Sequence, residues 1–445
     1  MLRLATSSQT RQSRSMRVLI LGGYGLIGSS VVSAVLAAGH DVTGLGRDVT
    51  EARRRRPPVR WLQHDLKTLV VPQAWIPLLH EIDAVINASG VLQDGPGDDV
   101  MAVQRDAMIA LFQACESARI GRFVQISAVG ASSVAQTVFM RSKGLADEAL
   151  SACAFEWIVL RPGLVLGAQV YGGSAMLHAL AGMPGLIALP RAPAIRTVAL
   201  QDVAEMALAA LEGSLPLRRS YDLVEEEAHA LDDVVRRLRA RLGFPSAPIV
   251  HWPAAIFRVL FGLGDLAGWL GWHPPLRSTA FRQTMLGIDG DPRPLRDVIH
   301  RPLRSLDETL SVIDGSARER WFARLFMLKP VIIITLGLFW LVSGIVGLIG
   351  AGRAESILVT HGLSAPIASL AVHGGAFLDI ALGAAMLIRR SMPAAAVGMM
   401  AVTLFYLLAG SAFAPDLWAD PLGPLVKAVP AAILALVALA IRDAR

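Results

Sequence analysis

Cysteine, lysine and tyrosine are scarce in this chain: 445 residues hold two cysteines, four lysines and four tyrosines. Each scarcity excludes something. Cys115 and Cys153 sit in apolar, helix-like contexts with no second ligand group beside them, so neither a disulfide framework nor a zinc site is indicated. A reducing compartment suits both thiols. Aromatic residues make up only 6% of the chain, and no basic stripe is interleaved with stacking rings. Nucleic-acid binding is therefore not expected, despite a net charge of +6 and an isoelectric point near 9.8. The run Arg53 to Arg56 reads as a solvated loop. Residues 1–15 carry arginine, serine, threonine and glutamine without the apolar stretch of a secretory leader. They read as a disordered extension, or as the product of an upstream start with Met16 the natural beginning.

Apolar residues, by contrast, are abundant. They reach 53%, with a mean hydropathy of +0.50, beyond the usual range of a soluble globular chain. After about Leu310 charge thins out. Pro330–Gly352 has one charge-free run and Ser391–Pro415 another, each long enough to cross a hydrocarbon core of about 30 Å at about 1.5 Å per residue. Pro366–Ile388 is apolar apart from His373 and Asp379, and Leu425–Ile441 apart from Lys427. Four spans are predicted, the last somewhat short. Arg318, Arg320, Arg324 and Lys329 precede the first span, Arg389 and Arg390 separate the second and third, and Arg442 and Arg445 follow the fourth. These cations share one side, opposite Arg353, Glu355, Asp416 and Asp420. The distribution of basic loops predicts that both termini are cytoplasmic in a bacterial-type inner membrane. Trp321 and Trp418 fall at opposite interfaces.

The earlier part of the chain alternates short β-rich runs with helical patterns, the mark of a parallel sheet built from strand–helix–strand units. The predicted strands are Val18–Leu21, Val42–Leu45, Val59–Leu62, Ala84–Ile86, Phe123–Ile126 and Trp157–Leu160. Between them, helices are predicted over Leu26–Ala38, Gln73–His80, Val100–Ala118 and Arg141–Cys153. Beyond residue 168 the pattern loosens, with a strand at Thr197–Leu200 and helices at Asp202–Glu212 and Asp232–Leu242.

Directly after the first strand stands Gly22-Gly23-Tyr24-Gly25-Leu26-Ile27-Gly28. A tight strand-to-helix turn needs glycine wherever a Cβ would keep the backbone from a pyrophosphate, and the helix N-terminus then offers N–H groups to the phosphates. Gly22, Gly25 and Gly28 fill those places, and Tyr24, Leu26 and Ile27 belong to the same cofactor-binding turn. The end of the second strand selects the dinucleotide. Gly44-Leu45-Gly46-Arg47 ends on a cation suited to a 2′-phosphate, which favours NADP. NAD remains the alternative, because Asp48 would take the ribose hydroxyl if the strand ended one residue later.

These landmarks together resemble the atypical and extended short-chain dehydrogenase/reductases, in particular the branch with the respiratory complex I accessory subunit. They comprise the glycine turn, His64-Asp65-Leu66, Asn87-Ala88-Ser89-Gly90, Ser127, Arg141-Ser142-Lys143 and Leu160-Arg161-Pro162-Gly163. The resemblance covers roughly residues 17 to 300, and the membrane portion is similar to the DoxX-like four-helix family. It implies a doubly wound parallel Rossmann sheet with a small C-terminal substrate lobe, followed by an all-α four-helix transmembrane domain. The expected division is 16–300 for the cofactor domain, 301–325 for a linker and interfacial segment, and 326–445 for the membrane domain. By the same likeness Asp65 and Leu66 flank the adenine and Ala88, Ser89 and Gly90 the ribose. Lys143 holds the nicotinamide ribose, and Pro162 and Gly163 the nicotinamide edge. No metal is expected.

In that family a tyrosine hydroxyl moves the proton, a lysine lowers its pKa and a serine hydrogen-bonds the substrate carbonyl. Ser127 and Lys143 stand in the catalytic places. One helical turn before Lys143, however, the tyrosine position holds Phe139, which can neither donate nor accept a proton. Tyr24 and Tyr171 are the candidate substitute hydroxyls. Within the spans, Asp379 is either a functional ionisable group or an aspartate hydrogen-bonded to Thr403 or Tyr406 that holds the bundle together. Two functions are read from the sequence, the first leading and the second its alternative. One is a membrane-tethered oxidoreductase acting on a lipophilic quinone, isoprenoid or lipid intermediate, with Trp252–Trp272 along the membrane interface. The other is a non-catalytic NADP(H)-dependent redox sensor or assembly factor for a membrane protein complex.

Overall fold

The structure, a computed structural model, describes residues 15–442 apart from 96, 273, 275 and 422. The predicted extension, save Ser15, and Arg445 of the basic side lie outside the described residues. Two compact units emerge, Met1–Gly262 with Pro275–Ser316, and Leu263–Pro274 with Ala317–Arg445.

The first unit is built on strands β1 (Arg17–Leu21), β2 (Asp41–Gly46), β3 (Arg60–Gln63), β4 (Ala84–Asn87), β5 (Arg122–Ile126) and β6 (Glu156–Pro162). Strands β7 (Leu164–Leu166), β8 (Ile187–Leu189), β9 (Thr197–Ala199), β10 (Arg219–Leu223) and β11 (Ile249–His251) follow. Seven of them form one sheet in the order β10-β6-β5-β4-β1-β2-β3, and every neighbouring pair is parallel. The order reverses between β1 and β4, where Leu21 is in register with both Leu45 and Asn87. That switch point is where an open α/β sheet leaves a crevice beyond its strand ends.

Parallel strands covered on both faces become continuous apolar runs, as in Val18–Leu21. Val18 and Ile20 pack on one side with Val31, Val35, Val203 and Ala207 of the helices Leu26–Ala37 and Leu200–Glu212. Leu19 and Leu21 face the other side, toward Met108, Leu111 and Phe112 of the helix Ala107–Ser117. The alternation follows from the two-residue period of a strand.

Three predicted helices differ in detail. Pro77 lacks an amide hydrogen, so the helix expected over Gln73–His80 is a four-residue helix, Pro72–Trp75, followed by a 3-10 turn, Ile76–Leu78. The helix expected over Val100–Ala118 contains a π-helical turn, Ala102–Asp106. The next helix starts earlier than predicted, at Val138, because the Thr137 hydroxyl caps it by accepting from the Met140 amide at 3.3 Å.

Beyond the sheet, β7 pairs with β9 and β8 with β11. Buried Glu225 fastens this region by accepting from the Thr197 amide at 3.2 Å and the Leu306 amide at 2.7 Å, and it faces His229 at 3.0 Å. The helix Ser278–Leu286 reaches the start of Val138–Ser151, where the Gln283 amide donates to Thr137.

The second unit is helical. Ala317–Ile349, Ala365–Leu387 and Met392–Phe413 are long and apolar enough to cross a membrane. The fourth apolar helix, Pro424–Ala440, has 17 residues and so reaches about 26 Å, short of a full core at about 1.5 Å per residue. The first two spans pack closely through glycine: a Cβ on Gly383 would meet the Leu341 amide nitrogen at 2.7 Å and the Gly337 carbonyl oxygen at 2.8 Å. Small residues let helix backbones approach in lipid, where dispersion replaces the hydrophobic drive. Asp379 is buried where three spans meet, with the Tyr406 hydroxyl 3.4 Å from Oδ1 and the Ser343 hydroxyl 3.5 Å from Oδ2. Of the two partners weighed from sequence, Tyr406 is the one bonded; Thr403 instead donates to the Met399 carbonyl at 2.7 Å. His373 faces Glu355 at 3.3 Å.

Candidate cofactor and active site

The glycine turn sits at the end of β1, beside the switch point. Gly22 has φ +68°, a left-handed conformation, and a Cβ there would lie 2.9 Å from the Ala88 carbonyl oxygen and from Ser89 Cα. Only glycine satisfies both demands. A Cβ on Gly28 would run into the Gly22 carbonyl, so the helix Leu26–Ala37 begins tight against the turn. Gly25 opens that helix with extended backbone and no side-chain cap. Its first amides therefore face the turn with no side chain of the cap to satisfy them, the condition under which a helix start takes an anion. These residues fit a dinucleotide pyrophosphate.

Tyr24 folds over the end of β2. Its hydroxyl accepts from the Arg47 amide at 3.3 Å, and its ring fills the space that a Cβ on Gly46 would need. That bond ties Tyr24 to the strand end. Tyr171 is 61% exposed. Strand β2 ends at Gly46, so Arg47 is the first residue beyond it, and Asp48 accepts from the Thr50 amide at 3.1 Å. The half-exposed Arg47 guanidinium donates to Asp98 at 2.6 Å and to the Gly97 carbonyl at 3.1 Å. Asp65 caps a short 3-10 turn, Leu66–Thr68, by accepting from the Lys67 amide, and Leu66 is buried.

On the other side of the crevice, buried Asn87 orders the segment after β4. Its Oδ1 accepts from the Ser89 amide at 3.0 Å and from the Ser89 hydroxyl at 2.5 Å, while its Nδ2 donates to Gln125 at 2.9 Å. Gly90 lies near Lys143: a Cβ there would be 3.2 Å from Gln104 Oε1 and 3.8 Å from Lys143 Nζ. Gln104, from the π-helical turn, donates to the Ser142 hydroxyl at 3.0 Å, and its Oε1 is buried without a hydrogen-bond partner.

Ser127 and Lys143 both lie in a buried cluster around Asp147. Lys143, 6% exposed, donates to the Ile126 carbonyl at 3.2 Å and lies 5.7 Å from the centroid of the Phe139 ring. Burial pushes its ammonium down to about 8, against an opposing pull from Asp147. Ser127, 4% exposed, donates its hydroxyl to Asp147 Oδ2 at 2.8 Å. Arg161 donates to the same oxygen through Nε and Nη2, both at 3.2 Å. Asp147 Oδ1 is buried with no hydrogen-bond partner. Burial raises the Asp147 carboxyl above its usual range, against the lowering effects of Ser127, Arg161 and Lys143. Pro162 ends β6, and Gly163 follows with its amide bonded to the Leu223 carbonyl at 3.0 Å.

Asp147, Gln104 and Asn87 are the members that the site prediction left out. Asp147 had a signal, since it lies one helical turn beyond Lys143 and so shares its face. Gln104 had none, because a π-helical turn moves side chains off the regular period. Among the described residues no group of His, Cys, Asp and Glu is arranged to hold a metal ion.

Comparison with known proteins agrees with this fold. Residues 22–213 match the NAD(P)H-binding family and residues 337–436 the DoxX-like family. The chain is an NAD(P)-binding Rossmann domain joined to a DoxX-like domain. Among solved structures, the Rossmann domain is similar to the Bordetella bronchiseptica enzyme WbmH in complex with NAD+, with a TM-score of 0.52 and 16% identity over 69% of this chain and 99% of that one. It is also similar to UDP-glucose 4-epimerase from Thermotoga maritima, with a TM-score of 0.53 and 13% identity over 69% of this chain and 100% of that one. At such identities the likeness shows the fold alone. Among characterised sequences, the photosystem II assembly factor Ycf39 of Synechocystis sp. is 24% identical over 261 residues, covering 55% of this chain and 73% of that protein.

Proposed function

We propose that this chain is a membrane-anchored, NADP(H)-binding module whose cofactor-bound shape serves the assembly, or the redox sensing, of a membrane protein complex. One observation carries this reading. The place of the proton-transferring tyrosine is filled by Phe139 against Lys143, and the remaining hydroxyl, Ser127, is donated inward to Asp147. A carbonyl substrate would then meet neither a phenol nor an outward-facing serine proton, and losing a positioned general acid typically costs about 10²–10⁴ in rate. The likeness to an assembly factor supports the same reading.

When bound, the dinucleotide supplies a transferable hydride. The chain's own residues would hold it. Gly22, Gly25, Gly28 and the first amides after Gly25 take the pyrophosphate, with Tyr24, Leu26 and Ile27 shaping the turn. Arg47 takes a 2′-phosphate, which is the basis for NADP over NAD. Asp65 and Leu66 flank the adenine, and Ala88, Ser89 and Gly90 the ribose. Lys143 holds the nicotinamide ribose beside Pro162 and Gly163. The basic loops favour a cytoplasmic Rossmann domain and cytoplasmic termini at a bacterial-type inner membrane.

A second reading is an oxidoreductase whose acceptor is a lipophilic quinone, isoprenoid or lipid intermediate. It is favoured by the helix Ala254–Trp269, whose Val259, Leu263, Leu266 and Trp269 are all more than half exposed, as an interfacial helix beside a lipid-embedded domain would be. Quinone reduction also depends less on a tyrosine, since water can protonate the product.

NADPH absorbance, followed with the purified full chain in lipid, separates the readings. The first expects NADPH binding without oxidation by carbonyl or quinone panels, and no activity in Phe139→Tyr. Oxidation with a quinone supports the second reading instead. A gain of about 10²-fold or more in carbonyl reduction by Phe139→Tyr overturns the first, because it would mean that Ser127 and Lys143 were catalytically poised.

A further inference from the structure

We infer that the helical unit carries a binding site for the headgroup of an anionic phospholipid, formed where the segment Leu263–Pro274 is clamped onto the loop between the second and third spans. The clamp rests on three bonds. The Trp272 indole donates to the Leu387 carbonyl at 2.8 Å, the Arg389 amide donates to the Leu270 carbonyl at 3.1 Å, and the Arg389 guanidinium donates to the Gly271 carbonyl at 3.4 Å. Gly271 makes the turn with φ +83°. Trp272 packs against the core of the bundle, next to Met392 and Ala396. The segment is thus fixed to the spans.

Beside the clamp opens a cleft of about 450 Å³, lined by Trp269, Leu270, Gly271, Ile388, Arg389 and Arg390. The lining combines two chemistries. Arg390 is an exposed guanidinium whose planar donors match a phosphate, whereas Trp269, 74% exposed, with Leu270 and Ile388 offers apolar surface at the end of the spans. A free phosphate has no use for the second set. A phospholipid uses both, because its phosphate sits at the headgroup level and its glycerol and upper acyl carbons lie directly beneath.

Charge selects the lipid class. The loop holding Arg389 and Arg390 lies at the same end of the antiparallel spans as Arg318, Arg320, Arg324 and Lys329, while Asp416 and Asp420 lie at the other. An anionic headgroup is attracted to the first end, and a zwitterionic one gains little there.

Native mass spectrometry of the full chain in detergent tests this, with phosphatidylglycerol, phosphatidylcholine or inorganic phosphate as the probe. Phosphatidylglycerol is expected to be retained preferentially. Arg390→Gln should weaken its retention about five-fold, the usual effect of one cation near a membrane surface. Arg390→Lys should stay within about two-fold, because the charge remains. Arg390→Gln leaves all three clamping bonds in place. Arg320→Gln serves as the control for general surface charge and should change little. Equal retention of both lipids, an equal loss in Arg320→Gln, unchanged retention in Arg390→Gln, or displacement of the lipid by millimolar inorganic phosphate would each overturn the proposal.

Discussion

Ser127 gives its hydroxyl proton to Asp147 at 2.8 Å, and both residues are all but excluded from solvent. In this cluster the serine points into the protein. The same carboxylate oxygen also accepts from Arg161, and Asp147 lies one helical turn from Lys143, so the cluster is a structural knot of opposite charges as much as a row of reactive groups.

Truncating Asp147 should therefore weaken the fold before it affects any chemistry. Asp147→Ala leaves Arg161 and Ser127 without their shared acceptor, and losing a hydrogen bond to a charged group typically costs about 1.5–3 kcal/mol. Asp147→Asn keeps an acceptor for Ser127 and should cost less. Thermal unfolding of the full chain in detergent should rank wild type above Asn and Asn above Ala. Equal midpoints for all three would contradict a structural role.

Lys143 is expected to make cofactor affinity depend on pH. Its ammonium is lowered by burial to about 8, so above that pH the free protein loses the proton and with it the attraction for an anionic dinucleotide. NADPH affinity should hold steady below pH 7 and fall as pH rises through about 8. The sign for stability is opposite. The unfolded chain binds this proton up to about 10.5 and the folded chain only to about 8, so Lys143 destabilises at neutral pH and the penalty shrinks between those values. Lys143→Met should flatten the affinity profile in a fluorescence titration of NADPH; a profile that survives the substitution would assign the dependence to another group.

Gly22→Ala should abolish cofactor binding. The added methyl meets the Ala88 carbonyl and the Ser89 backbone from a left-handed conformation that alanine adopts at a cost of about 1–2 kcal/mol, before any clash. Calorimetry should find the NADPH dissociation constant raised at least ten-fold. An alanine variant that binds normally would show that the turn does not contact the pyrophosphate.

Arg47→Gln should weaken NADPH about ten-fold and leave NADH within about two-fold, since a guanidinium beside a 2′-phosphate contributes a charge-assisted pair that a ribose hydroxyl does not use. Parallel titrations with the two reduced cofactors decide this. Equal losses for both would remove Arg47 as the selector and restore NAD to equal standing.

The cofactor half of the molecule was legible because its constraints are local. Six strands of the sheet were found within a few residues, since a strand buried on both faces is a short apolar run, and the Gly22–Gly28 turn is legible because each glycine answers a steric demand from near neighbours. Where a local rule was overlooked, the prediction slipped: Pro77 breaks the helix expected over Gln73–His80, and Thr137 starts another one turn earlier than its periodicity suggests.

The amino-acid sequence by itself determined the two-part plan, a dinucleotide crevice at a switch point and apolar helices fit for lipid, because hydrophobic period, glycine placement and charge-free length act over a few residues. It also determined that Phe139 stands where a phenol is needed. Tertiary structure alone decided what the surviving polar groups do. Asp147 and Arg161 are brought onto Ser127 by packing a helix against a strand end, and Gln104 reaches Gly90 through a π-helical turn. Hydrogen bonds between side chains depend on angles and distances between elements, and no pattern along the chain encodes them.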